Sequence, residues 1–316
     1  MIYHIFANKS NIGDWLSARG IQSALVGHAI TELFCDTPFV SETMTRLRAL
    51  QPEDFVIIGG GGLFMDYFVP FWSAFSEIAE AVPFGIWGVG FCDLKREASL
   101  PPSEIIEAVI RRSRFCYARD ELTRTHLAGL NLPQPTGCPS LLDLMAAPGT
   151  GRGLLHVDNY DTVGSEVYDF MDALGRRMAA ASNRPFRRTN NRIDAGDESQ
   201  LQKCLQLYHD SDIVLSSGLH GCVIGAALGK KVVAVSGDLK IDYFMRSVAL
   251  GDWVCERDDL GRVELLLATC EKQEATGDFV ARLRQANEDI GRRVQTMLAS
   301  SDSIATSQRA TIEGAQ

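Results

Sequence analysis

Short apolar runs alternate with amphipathic segments along most of this chain, and the alternation predicts its fold class. The apolar runs have the length of buried strands, and they occupy residues 2–6, 55–58, 84–90, 115–118 and 154–157, the run that begins at Ile213, and residues 231–236. Helical spacing of apolar positions predicts helices at 14–33, 71–81, 102–113, 120–129, 164–182 and 197–210, with further helices between 258 and 299. Such alternation predicts an α/β protein, in which helices cover both faces of a mostly parallel sheet.

The segment 146–153, Ala-Ala-Pro-Gly-Thr-Gly-Arg-Gly, interrupts this alternation and has the composition of a linker. The chain has 316 residues, which exceeds one domain of ordinary size. We therefore expect one domain over 1–148 and a second over 149–300 that ends in helices. Residues 301–316 are rich in Ser, Thr, Ala and Gln, which predicts a disordered tail.

The formal net charge is −9 and the pI is about 5.2. An acidic chain lacks the positive field that a nucleic-acid backbone requires, so nucleic acid is not an expected partner. An anionic substrate would need a local basic pocket.

The eight cysteines show no metal-binding or redox spacing, and several lie in apolar runs. Buried thiols are typical of a reducing cytoplasm. We see neither a signal peptide nor an apolar stretch of membrane-span length. These features predict a cytoplasmic protein without a metal site, in at most peripheral contact with the inner face of the membrane.

Four segments at predicted strand ends carry candidate chemistry, because ligands of open α/β sheets bind there. In the first, Asn11, Gly13 and Asp14 form a compact polar turn that enters a helix. Asp14 is either a ligand-facing group or simply the helix N-cap.

In the second segment, Gly59–Gly62 follows a buried strand. This glycine loop either brings backbone N–H groups to a ligand or allows close packing of the strand against a helix. Its spacing matches neither the dinucleotide fingerprint nor the P-loop.

The other two segments offer cations and a titratable ring. Arg119 follows the strand 115–118 and can present a planar fork to a carboxylate or phosphate, or it can form a structural pair with Asp120, which would cap the next helix. His220 lies where a turn becomes a helix, and an imidazole there is either an acid–base group or a buried, hydrogen-bonded ring. Lys240, after the last predicted strand, either neutralises a phosphate or is a solvated surface lysine.

Taken in order, these motifs resemble the polysaccharide pyruvyl transferase family. The matching features are Asn11-Ile-Gly-Asp14, the loop Gly59–Gly62 with Leu63, Arg119-Asp120, and Ser217-Gly-Leu-His220-Gly221, followed by Lys240. The match runs from residue 3 to about residue 245. It points to the exopolysaccharide type of the family, with succinoglycan as a candidate polymer.

The resemblance implies two Rossmann-like domains that face each other across a cleft, as in GT-B glycosyltransferases. It also implies transfer of pyruvate from phosphoenolpyruvate to a lipid-linked oligosaccharide as a cyclic ketal, without a further cofactor. Under this reading His220 is the catalytic acid or base. The donor would be bound by Arg119, Lys240, Ser217 and Gly221, and the acceptor side would be shaped by Asn11, Gly13, Asp14, Gly60, Gly61 and Gly62.

Two positions depart from the family pattern. Gly218 stands where the family usually has arginine, so an expected anion contact is missing. Either glycine is tolerated there because its backbone adopts a positive φ or lets the substrate approach, or the cation comes from Arg187, Arg188 or Arg192 in the same domain. Gly237 stands where tyrosine is common. Two other functions remain open: a nucleotide-sugar glycosyltransferase of the GT-B type, and a non-catalytic sugar- or anion-binding protein.

Overall fold

The computed structural model describes residues 1–96, 100–144 and 151–313, and for residues 160, 161 and 301–313 it describes the backbone alone. Two five-stranded parallel sheets form its frame, with strand orders β2-β1-β3-β4-β5 and β10-β9-β8-β6-β7. The first sheet contains β1 (Ile2–Phe6), β2 (Ile30–Phe34), β3 (Phe55–Gly59), β4 (Phe84–Val89) and β5 (Cys116–Ala118). The second contains β6 (Leu154–Val157), β7 (Phe186–Thr189), β8 (Ile213–Ser216), β9 (Lys231–Ser236) and β10 (Val254–Glu256). Every strand assigned from the sequence is present.

Helices connect the strands and cover the sheets. In the first half they are α1 (Ile12–Ser23), α2 (Val40–Arg48), α3 (Val69–Ser76), α4 (Ser103–Arg112) and α5 (Glu121–His126). In the second half they are α6 (Tyr160–Val163), α7 (Ser165–Ala181), α8 (Glu198–His209), α9 (Leu219–Ala227), α10 (Leu239–Ser247), α11 (Leu260–Thr269) and α12 (Gly277–Glu313). The α/β fold class predicted from the alternating pattern is therefore confirmed.

The prediction of one helix over 14–33 is wrong, because α1 ends at Ser23 and residues 30–34 form β2. Gly27 adopts a φ of 96° in the intervening turn, a conformation that an α-helix cannot contain. The sequence also gives no signal for β7 and β10. All three missed strands lie at sheet edges, where partial exposure allows polar residues such as those of Phe186-Arg-Arg-Thr189 and removes the continuous apolar run.

The last helix returns to the first half of the molecule. Ile290 and Val294 of α12 pack in one apolar cluster with Trp87 of β4. The indole Nε1 of Trp87 donates to Oδ1 of Asn287 over 2.9 Å, and the Asn287 amide donates to the carbonyl of Thr136. Although α12 lies within the predicted second domain, this part of its apolar face thus packs in the core of the first half, whereas Val280, near its start, packs in the cluster that contains α9.

The predicted boundary at 148/149 falls in residues 145–150, which lie outside the described residues. Residues 301–313, predicted to be disordered, continue α12. That segment contains neither proline nor glycine to end a helix. Residues 314–316 of the predicted tail are again outside the described residues.

Two backbone contacts join the halves at the carboxyl ends of their strands. Leu94, after β4, pairs with Asp238, after β9, and the backbone N–H of Asp93 donates to Oδ1 of Asp238 over 3.1 Å. On the other side of the cleft, Asn11 pairs with Arg192, which follows β7. These contacts hold the two sets of strand ends face to face.

Candidate active site

A cavity of about 660 Å³ lies between the two sheets. Its walls are the segments that follow β1 to β5 in the first half and β6 to β9 in the second. Seven of the predicted site residues line it: Asn11, Asp14, Gly62, Arg119, His220, Gly221 and Lys240. The structure thus brings together residues from five separate loops, as the rule for ligands at strand ends leads one to expect.

The imidazole of His220 lies in the second position of α9, against α1 of the other half. Gly13 makes this approach possible, since a Cβ added to Gly13 would lie 1.9 Å from Nδ1 of His220. On the other side of the ring, Nε2 is 3.8 Å from Sγ of Cys138, a thiol that also contacts the Ser17 and Ser140 hydroxyls. Burial, followed by the charges of Arg119 and Lys240, lowers the pKa of His220 to about 3. The ring is therefore neutral near neutral pH, the form in which a ring nitrogen has a lone pair that can accept a proton.

The guanidinium of Arg119 is buried beside the glycine loop. Its Nε donates to Asp120 over 2.7 Å, and its Nη2 donates to the carbonyl of Phe91 over 3.1 Å. Asp120 also accepts from the backbone N–H of Thr123, so it caps α5 as predicted. Arg119 is thus both the structural partner of Asp120 and part of the cavity wall, and the two readings of this residue are not exclusive.

Lys240 reaches the same region from the second half. Its Nζ lies 2.5 Å from Oδ2 of the fully buried Asp238 and 3.0 Å from Sγ of Cys92. Burial acts to lower the pKa of Lys240, but Cys92 and Asp238 outweigh this effect and raise it. Lys240 is therefore a charged, largely buried cation, which excludes the reading as a solvated surface lysine.

The glycine loop serves mainly to pack the site together. Gly60 and Gly61 have φ values of 80° and 93°, and a Cβ on Gly60 would lie 2.7 Å from the Cβ of Ser17. Neither residue lines the cavity, whereas Gly62 does.

Asn11 is the N-cap of α1, because its Oδ1 accepts from the backbone N–H of Gly13 over 2.9 Å. Asp14, in the first turn of α1, is therefore not the cap and faces the cavity instead.

Ser217 does not line the cavity, although the resemblance implies donor binding there. Its hydroxyl accepts from the backbone N–H of Asn159 over 2.7 Å, and its carbonyl accepts from the Thr162 hydroxyl. Asn159 and Thr162 do line the cavity. The structure thus places Ser217 behind the wall, where it holds the segment after β6 in position.

The two departures from the family pattern have different physical explanations. Gly218 has a φ of −118°, so the expectation of a positive φ at this position is wrong. A Cβ at Gly218 would make only an ordinary contact with the Cβ of Asn159, at 3.4 Å. At Gly237, a Cβ would lie 2.3 Å from the carbonyl oxygen of Thr162, so the backbone of α6 leaves no room for tyrosine.

Of the three arginines considered as substitutes at Gly218, Arg192 lines the cavity. Arg187 extends toward the carbonyl and carboxylate of Asp210. Arg188 contacts the Tyr168 hydroxyl at the outer face of the second sheet. Arg192 is therefore the one of these three whose position suits an anion in the cleft.

Several cavity residues were not identified from the sequence. Among them are the polar or sulfur-containing side chains Asn8, Asp36, Cys92, Asp158, Asn159 and Asn190. Each follows a strand, so the strand-end rule would have found them. Asp36 and Asn190 were missed because they follow β2 and β7, two of the three edge strands that lack a continuous apolar run. Within the described residues, no group of three or more His, Cys, Asp or Glu side chains has the arrangement of a metal site.

The arrangement of the two sheets is shared with solved structures. The UDP-GlcNAc 2-epimerase of Methanocaldococcus jannaschii, in complex with UDP-GlcNAc and UDP, has a TM-score of 0.63 at 9% identity, covering 93% of this chain and 99% of that one. The UDP-GlcNAc 2-epimerase of Neisseria meningitidis gives 0.60 at 13% identity, with 94% and 99% covered. MnaA of S. aureus with UDP gives 0.61 at 11% identity, with 94% and 96% covered. These likenesses confirm the GT-B-like fold of two facing Rossmann-like domains.

The sequence itself identifies the family. No curated protein matches the chain significantly. A family model described as polysaccharide pyruvyl transferase matches residues 11–238. This range includes the α1 turn, the glycine loop, Arg119, His220 and Asp238, so it spans most of the cavity wall. The chain is a transferase that belongs to the polysaccharide pyruvyl transferase family.

Proposed function

We propose that this transferase moves the pyruvyl group of phosphoenolpyruvate to a sugar of an exopolysaccharide repeat unit and forms a cyclic ketal. The observation that carries the proposal is the convergence of Arg119, Lys240 and His220 on one cavity. Both cations lie close enough to the imidazole to lower its pKa. A small, highly anionic donor would therefore be held beside a neutral base.

The donor's two anionic groups find matching partners in this region. Arg119 and Lys240 are fixed by Asp120 and Asp238, so their charges are positioned before the donor binds. Preorganised charges of this kind stabilise the negative charge that develops on the departing phosphate when its bond to the central carbon breaks. In this reaction phosphoenolpyruvate is a substrate, and no separate cofactor or metal is proposed.

Other parts of the cavity wall, contributed by both halves, carry groups that suit a sugar. They include the side-chain amides of Asn8, Asn159 and Asn190, which can pair with hydroxyl groups, and the half-exposed ring of Tyr67. We propose that the acceptor is a lipid-linked oligosaccharide that is modified at the inner face of the cytoplasmic membrane. No helix in residues 1–96, 100–144 and 151–313 has the length and apolar character of a membrane span. In this proposal the acceptor brings the enzyme to the bilayer.

The test is incubation with phosphoenolpyruvate and extracted lipid-linked oligosaccharide. We expect release of inorganic phosphate together with an acceptor that gains the mass of a pyruvyl ketal. Thermal stabilisation by UDP or GDP, and none by phosphoenolpyruvate, would instead indicate a nucleotide-sugar glycosyltransferase. Binding of donor and acceptor without any phosphate release would indicate a non-catalytic binding protein.

Replacement of Arg119 by lysine is expected to weaken donor binding. Two of the three guanidinium nitrogens are engaged by Asp120 and Phe91, and a lysine cannot keep both contacts and also present a donor to the cavity. We expect Arg119→Lys to lose about 1.5–3 kcal/mol of donor affinity, the scale of a charged hydrogen bond, with acceptor binding close to normal. Calorimetry with each substrate measures both values. Unchanged donor affinity would assign Arg119 to the support of Asp120 alone.

Arg192 is expected to supply the anion contact that Gly218 lacks. It lines the cavity from the segment after β7, which pairs with Asn11 of the other half. We expect Arg192→Ala to cost about 1.5–3 kcal/mol of donor binding. Arg188→Ala is the matched control, because Arg188 contacts Tyr168 away from the cavity and should leave donor affinity unchanged. Equal losses in the two variants would remove Arg192 from the donor site.

A further inference from the structure

The carboxylate of Asp14 faces the cavity without a partner from the protein. Among the described residues, no hydrogen bond or ion pair reaches either of its oxygens. The neighbouring cavity carboxylates differ: Asp36 accepts from the side-chain amide of Asn8 over 2.5 Å, and Asp238 is paired with Lys240. A carboxyl group in a cavity wall that makes no structural contact is available to a substrate.

The glycine loop is shaped around this carboxyl group. A Cβ added to Gly61 would lie 2.6 Å from Oδ1 of Asp14, and the φ of 93° at Gly61 itself disfavours any side chain there. The preceding residue of α1 is Gly13, against which the His220 imidazole lies. Adjacent residues of α1 therefore bring the Asp14 carboxyl and the His220 ring to the same part of the cavity.

The surroundings give these two groups opposite protonation tendencies. Burial, and then the charge of Asp36, raise the pKa of Asp14 to about 6, although Lys240, Arg119 and Arg192 act to lower it. His220 has its pKa lowered to about 3. In the pH interval between these values, Asp14 holds a proton and His220 does not. Such a pair suits one acid step and one base step in a single site.

We propose that Asp14 is the proton donor to the methylene carbon of the donor substrate, and that it acts in alternation with His220. This inference rests on the proposed function. The Asp14 proton adds to the methylene carbon of phosphoenolpyruvate, which becomes the methyl group, and the positive charge develops at the central carbon. A sugar hydroxyl forms a C–O bond to that carbon, and its proton passes to His220.

The second half of the cycle restores both groups. The bond between the central carbon and the phosphate oxygen breaks, and the imidazolium of His220 returns its proton to the departing phosphate. A second sugar hydroxyl closes the ketal ring, and its proton passes to the Asp14 carboxylate. Two hydroxyl protons thus end on the methyl group and on phosphate, so atoms and charges balance without a co-reactant.

The experiment compares turnover with donor binding in Asp14→Asn. Phosphate release with phosphoenolpyruvate and lipid-linked oligosaccharide measures turnover. Calorimetry with phospholactate, a saturated analogue of the donor, measures binding without chemistry. We expect turnover to fall at least about 100-fold, the lower scale of acid–base catalysis, while analogue affinity stays the same or increases, because a negative charge facing an anion has been removed. Asp66→Asn, an exposed residue outside the cavity wall, is the matched control and should behave as wild type.

Two outcomes would overturn the role of Asp14, and a third would overturn the proposed function itself. If Asp14→Asn keeps more than about a tenth of wild-type turnover, Asp14 is not the proton donor. If analogue affinity falls as far as kcat/KM does, Asp14 positions the donor instead, and the inference is again wrong. If the wild-type enzyme releases no phosphate from phosphoenolpyruvate, the proposed function itself fails, and the assignment of Asp14 fails with it.

Discussion

Replacement of His220 by alanine or glutamine is expected to lower turnover at least about 100-fold and to leave the fold intact. The imidazole is neutral near neutral pH, because burial and the charges of Arg119 and Lys240 hold its pKa near 3. It is therefore in the form that accepts the proton of a sugar hydroxyl. Once it carries that proton it becomes a strong acid beside the departing phosphate, and both steps are lost with the ring.

The measurement is kcat for phosphate release, alongside the thermal unfolding midpoint of each variant. His28→Gln is the matched control, since His28 lies in the turn between α1 and β2 and does not line the cavity. We expect wild-type turnover from the control. Turnover within a few-fold of wild type in a folded His220→Gln protein would exclude the imidazole from the mechanism.

Gly13→Ala is expected to impair the enzyme nearly as severely. The added methyl group would lie 1.9 Å from Nδ1 and 2.0 Å from Cγ of His220, so the ring must leave its position. We expect turnover to fall about 100-fold, as in loss of the base itself. We also expect the free energy of unfolding to fall by about 1–3 kcal/mol, the usual cost of overpacking.

A double-mutant cycle separates this clash from a general effect on α1. In the His220→Gly background the ring and its Cβ, which would lie 2.6 Å from the added methyl group, are both absent, so Gly13→Ala should no longer destabilise the protein. Gly129→Ala serves as control, because no atom lies within 4 Å of a Cβ at that position. If Gly13→Ala costs the same stability with and without His220, the close contact between α1 and α9 is not what the substitution disturbs.

The buried strands were predictable because their physics is local. Segments such as Phe55–Gly59 and Lys231–Ser236 lie inside their sheets, and burial on both faces requires an unbroken apolar run. The edge strands β2, β7 and β10 carry polar residues on an exposed side, so their sequences resemble loops or helices. Their identity depends on the neighbouring strand that offers hydrogen bonds, which a single segment does not reveal.

The packing of α12 was also beyond the sequence pattern. Its apolar positions show that one face is buried, but not which surface buries it. Only the folded chain shows that Ile290 and Val294 pack beside Trp87, some 200 positions earlier. The order of elements alone does not show that this part of α12 packs against the first half.

By itself the sequence determined the α/β class and the strand-end positions of the candidate site residues. Those are consequences of local pattern: apolar runs, helical spacing, and polar groups where strands stop. The tertiary structure decided which of these residues meet in the cavity, because their contacts depend on distances across the cleft. It placed Ser217 behind the wall, set Arg192 apart from Arg187 and Arg188, and buried Lys240 beside Asp238.

The protonation states belong to the tertiary structure for the same reason. Nothing in the local sequence of Asp14 or His220 distinguishes a carboxyl group of raised pKa from an imidazole of lowered pKa. Their pKa values are set by burial between the two halves and by charges that arrive from other loops, Asp36 for Asp14 and Arg119 with Lys240 for His220. Electrostatic surroundings of this kind form only when the strand ends of both sheets meet.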